Sequence, residues 1–84
     1  MVHRVLRRGR VVDSQGRPVA GALVSVTWGT APTPEIGRRT DDAGSFHVGL
    51  PPGRFRLQAI AVDGRTGETE VEGGSEIEIV IRLD

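Results

Sequence analysis

The sequence predicts an all-β sandwich, and three observations carry that prediction. Twelve glycines and five prolines fall at short intervals through 84 residues, so no apolar pattern of helical period survives between them. One turn grammar occurs twice: Asp13-Ser14-Gln15-Gly16 and Asp41-Asp42-Ala43-Gly44 both place Asp first and Gly fourth, the residues that β-turns favour there. The stretches between turns alternate apolar and polar residues with period two, as half-buried strands do.

The first strand is expected over residues 5–12. Val5 and Val11 share a parity with Arg7 and Gly9, while Leu6 and Val12 lie on the other, so a bulge near Gly9 is expected to reconcile the two faces. Pro18 lies in the following connection, where a missing N–H costs nothing. Residues 22–28 alternate cleanly and place Ala22, Val24, Val26 and Trp28 inward, with Trp28 as a lid on the core. Pro32 and Pro34 turn residues 29–37 into the longest irregular stretch. A short strand follows over 38–40. A better one over 45–50 has Phe46, Val48 and Leu50 on one face and His47 on the other.

Pro51-Pro52-Gly53 ends that strand and launches residues 54–62, with Phe55, Leu57, Ala59 and Ala61 inward. After a turn at 63–67, residues 68–72 and 76–83 read as a terminal hairpin across Gly73-Gly74-Ser75. Its inward residues are Val71, Ile77, Ile79, Ile81 and Leu83. Seven strands result.

At this length the chain is one domain, residues 1–84, because its apolar residues cannot fill two cores. There are no cysteines, so neither disulfides nor thiolate metal sites stabilise the core. No stretch approaches the roughly 20 apolar residues that cross a bilayer, and the start has no apolar signal-like region. The chain is expected to be soluble and not to insert into membranes.

Formal net charge is zero but polarised. Up to Thr40 seven arginines face Asp13 and Glu35, a balance of +5; the remainder carries four arginines and nine acids, a balance of −5. Every basic residue is Arg, which reads either as bidentate pairing with carboxylates or as a compositional bias. Nucleic acid is not an expected partner, since the basic start has no aromatic interleaving and the acidic half repels phosphate.

Few residues point to chemistry. His47 alternates with core residues and so faces solvent, and His3 sits at a terminus. No nucleophile, base and orienting group fall into a recognisable pattern, so no catalytic residues and no cofactor are expected. Asp13, Asp41, Asp42 and Asp63 offer oxygens of the kind calcium takes, but turn capping accounts for Asp13 and Asp41, and no metal site is assigned. Trp28, with Thr30, Thr33 and Glu35, forms a candidate ligand loop in which the indole would stack on a sugar ring.

The run Gly9-Arg10-Val11-Val12-Asp13-Ser14-Gln15-Gly16-Arg17-Pro18-Val19-Ala20-Gly21-Ala22-Leu23-Val24-Ser25-Val26, then Thr40-Asp41-Asp42-Ala43-Gly44-Ser45-Phe46, then Leu50-Pro51-Pro52-Gly53-Arg54-Phe55-Arg56-Leu57 resembles the carboxypeptidase regulatory-like domain family. The resemblance spans nearly the whole chain. It implies a seven-stranded Greek-key β-sandwich of the transthyretin (prealbumin)-like type. Such a module usually accompanies other domains, often in secreted or cell-surface proteins, as a structural or docking element without catalysis. A related branch, the 5-hydroxyisourate hydrolases, uses histidines and an arginine and ends in a Tyr-Arg-Gly-Ser-like tail. This chain ends Ile81-Arg82-Leu83-Asp84, has no tyrosine and offers only His3 and His47, so the hydrolase activity of that branch is not expected.

In the family's topology the strands carrying Leu23 and Ile60 are antiparallel neighbours. Leu23, Ile60 and Val62 then form an apolar cluster on an outer face, a candidate contact surface for an adjacent domain, a partner protein or a second copy; scattered surface hydrophobes are the plainer account. Carbohydrate or peptide captured by the 29–37 loop is the alternative function. On the opposite sheet Glu68, Glu70, Glu72, Glu76 and Glu78 are expected to form an acidic ladder. If the first strand lies beside the last, as the resemblance implies, Arg8 and Arg10 pair with part of it.

Overall fold

The computed structural model describes residues 5–33, 37–75 and 77–84, with Val5 represented by its backbone. Seven strands follow one another without a helix among the described residues: β1 (Val5–Val12), β2 (Leu23–Gly29), β3 (Arg38–Arg39), β4 (Ser45–Leu50), β5 (Arg54–Ile60), β6 (Thr66–Glu72) and β7 (Ile79–Arg82). They form a three-stranded sheet, β4-β1-β7, and a four-stranded sheet, β3-β2-β5-β6. Every pairing is antiparallel except β1 with β7. The seven-stranded sandwich and the neighbouring first and last strands agree with the sequence reading.

The two inner faces supply the core. Val11, Phe46, Leu50, Ile79 and Ile81 come from one sheet, and Val24, Phe55, Leu57 and Ala59 from the other. Phe55 is the largest fully buried side chain. Glycine walls hold its ring: a Cβ added at Gly29 would stand 2.5 Å from the ring and one at Gly73 3.0 Å.

The repeated turn grammar builds repeated geometry. The Oδ1 of Asp13 accepts the amides of Gln15 and Arg17 at 2.8 and 2.9 Å, and the Oδ1 of Asp41 accepts those of Ala43 and Ser45 at 2.9 Å each. Gly16 and Gly44 close the two turns at φ 82° and 74°, a region open to glycine at no steric cost. A third turn uses the same backbone frame with Ala61 in the first place; the amide of Gly64 donates to the Ala61 carbonyl at 2.9 Å, and Asp63 accepts the Arg65 amide. The amide of Arg17 chiefly holds the Asp13 carboxyl below its ordinary value, and the amide of Arg65 does the same for Asp63.

Four expectations require correction. The register of β1 with β4 runs without interruption from Val5 to Arg10, so there is no bulge near Gly9. Instead Arg7 and Gly9 face inward. The ring of Phe46 lies over Gly9, where a Cβ would come within 2.2 Å of it. Arg7 is only 3% exposed and donates from Nη1 to the Glu72 carbonyl at 2.5 Å and from Nη2 to the Ile77 carbonyl at 2.6 Å.

Strands β6 and β7 are not a hairpin, because the chain leaves the four-stranded sheet after Glu72 and crosses to the other. Arg7 grips both ends of that crossing, and Ile77, expected inward, is 77% exposed upon it. The acidic ladder is consequently divided. Glu68, Glu70 and Glu72 lie on β6, in the same sheet as Leu23 and Ile60 rather than the opposite one, whereas Glu78 pairs with Arg10 of β1 at 3.3 Å. Glu76 lies outside the described residues.

Trp28 is not a core lid. The pairing of β2 with β5 shifts between Val26 and Trp28. The bulge reverses the parity of every later residue, so Trp28 lies opposite the outward Arg56 and is 50% exposed.

Candidate functional site

The outer face of the four-stranded sheet gathers most of the residues the sequence singles out, in two groups. At one end a cross-strand row runs Arg39, Leu23, Ile60, Thr66 across β3, β2, β5 and β6. Leu23 and Ile60 are direct register partners. Leu23 is half-buried because it leans over Gly37, where a Cβ would come 2.7 Å from its Cδ1. Ile60 is 40% exposed, and Val62, just past the end of β5, is 85% exposed and lies against Gly21. The Arg39 guanidinium donates to the Gly21 carbonyl at 3.0 Å and frames the row.

At the other end the row is Trp28, Arg56, Glu70. The Arg56 guanidinium binds Glu70 at 2.9 Å and approaches Glu68 at 3.8 Å. The hydrogen bond to Glu70 raises its already high pKa. Exposed pairs of this kind are screened by solvent and contribute little stability, so their main effect is to fix where the guanidinium sits.

The candidate loop residues separate. Thr30 is a structural residue: its hydroxyl accepts the Arg54 amide at 2.9 Å, and its own amide donates to the Arg54 carbonyl at 2.9 Å. Thr33 is half-buried and, with Trp28, Thr27, Ala31 and Pro32, lines a shallow hollow of about 280 Å³. Glu35 lies outside the described residues. Among the described residues of this group Trp28 alone exposes a broad apolar surface, whereas sequence parity placed it inside.

Asp13, Asp41 and Asp63 direct oxygens at turn amides, as described above. Among the described residues no three His, Asp or Glu side chains are grouped closely enough to hold a metal ion. His47 is exposed on the other sheet, as its parity requires.

Residues 8–84 match the carboxypeptidase regulatory-like domain family. The chain belongs to that family. No curated protein matches it. A carboxypeptidase regulatory-like domain is a β-sandwich of regulatory-like rather than catalytic type. No helix among the described residues is long and apolar enough to cross a membrane.

Proposed function

We infer that this carboxypeptidase regulatory-like domain is a non-catalytic module whose four-stranded outer face docks a neighbouring domain or partner protein, in a secreted or cell-surface setting. The observation that carries the reading is the register pairing of Leu23 with Ile60 beside the exposed Val62, an apolar row where sheet outer faces ordinarily carry polar residues. Trp28 and Arg56 on the same face belong to the residue types that dominate binding energy at interfaces.

A photo-crosslinking residue in place of Val62, in the natural full-length protein, should capture a partner, whereas one in place of Ser14 should not. Ile60→Asp should abolish that capture and leave the melting temperature of the isolated chain within a few degrees of the parent. Equal capture from both positions removes the reading, and so does a melting temperature that collapses in the Asp variant, because Ile60 would then be serving the core.

The exposure of Trp28 supports a second reading, a carbohydrate- or peptide-binding surface at the 29–37 loop. Its emission should lie near that of solvated indole and be readily quenched by acrylamide. If the loop captures glycans, adding them should shift the emission to the blue and protect it from quencher. Unchanged emission across a panel of neutral glycans and extended peptides eliminates this second reading.

A further inference from the structure

The outer face of the three-stranded sheet is chemically unlike its counterpart. Its exposed residues are Leu6, Arg8 and Arg10 on β1, His47 on β4, and Val80 and Arg82 on β7. The register makes Arg8 the partner of His47, Arg10 the partner of Val80, and Arg82 the partner of Val12. Strand rise and strand spacing then set Arg8, Arg10 and Arg82 on a diagonal with steps of about 7–8 Å.

Glu78 pairs with Arg10 at 3.3 Å. Among the described residues no carboxylate lies within ion-pairing distance of Arg8 or Arg82; the Arg82 guanidinium donates to the Ser14 carbonyl at 3.2 Å and keeps its charge exposed. The Asp13 and Asp41 carboxylates at the nearby turns are directed at backbone amides.

We propose that this face binds a sulfated polysaccharide. A flat row of guanidinium groups at regular spacing suits a linear polymer with repeating anions, and the planar donor fork engages oxyanions two bonds at a time. The chain has three aromatic residues besides its histidines. Phe46 and Phe55 are buried and Trp28 is on the far sheet, so among the described residues His47 is the one aromatic ring on this face, too few for the successive base stacking that single-stranded nucleic acid uses. The surface lies opposite the proposed docking row, which leaves one module able to hold a partner on one side and a polyanion on the other.

Titration of the intact chain with a heparin oligosaccharide tests this. Binding should weaken about 7- to 12-fold between roughly 50 and 200 mM salt, the dependence expected for the two counterions displaced from Arg8 and Arg82. The Trp28 emission should not move. Arg8→Gln, whose parent side chain makes no described ion pair, should weaken binding at least threefold, and the Arg8→Gln/Arg82→Gln double variant at least tenfold, each with a melting temperature close to the parent's.

Ile60→Asp should bind heparin as the parent does, so failure here is distinguishable from failure of the docking surface. Absence of heparin binding at the lower salt overturns the proposal. So does undiminished binding by the folded double variant, or equally tight binding of a single-stranded oligonucleotide of matched charge.

Discussion

Phe55→Ala should remove a large share of the domain's stability. The ring is fully buried and closed in by Gly29, Gly53 and Gly73, which have no side chains that could move in to fill the void. Truncating a core phenylalanine costs about 3–5 kcal/mol, and a domain of this size has only about 5–15 kcal/mol in total. At the about 4–8 °C per kcal/mol typical of small domains, the melting temperature should fall by roughly 12–40 °C. Calorimetry or a circular-dichroism melt measures it. A shift under a few degrees would mean that the sheets close over the gap, contrary to the glycine walls.

Arg7→Leu should be the next most damaging change. It removes two donors and strands the carbonyls of Glu72 and Ile77, each of which loses its short bond to the guanidinium. A buried acceptor left unpaired costs about 1–3 kcal/mol. These carbonyls border a cleft of about 270 Å³ with Arg7, Val71 and Ile79 in its lining, which admits some water, so the total should be about 2–4 kcal/mol in urea titrations. Arg7→Lys should restore no more than half, because a single ammonium cannot span both acceptors as a planar fork does. Parental stability in the Leu variant would show that water alone satisfies the crossing segment.

What the sequence revealed and what it concealed have physical causes. The turns at Asp13 and Asp41 were legible because their interactions are local: an Asp carboxylate reaches amides two and four residues on, and a glycine accepts positive φ. The inward sets of β4 and β5 were legible because Phe46, Leu50, Phe55, Leu57 and Ala59 alternate without exception.

Arg7 was misread because alternation counts apolar residues, and an arginine can join the inner face where carbonyls from a distant segment await it. The bulge that turns Trp28 outward has no glycine or proline at Val26 or Thr27 to announce it. Sheet membership of β6 and β7 is a property of the whole fold: Ile79 and Ile81 are buried whether β7 pairs with β6 or with β1. The docking row was the part of the candidate site most readable from sequence, because it needed only parity and the family's strand order. The Trp28 end of that face, and the arginine diagonal on the opposite sheet, required the actual register.

The parallel alliance of β1 with β7 also sets a kinetic constraint. Gly9 meets Ile79 and Val11 meets Ile81 across nearly the entire length of the chain, so closing this ladder requires a long, entropically costly loop before any of its contacts forms. Folding should be slow for so small a protein, on the scale of milliseconds to seconds typical of sandwiches dominated by distant contacts. During synthesis β1 must wait, paired at most on one side, until β7 arrives.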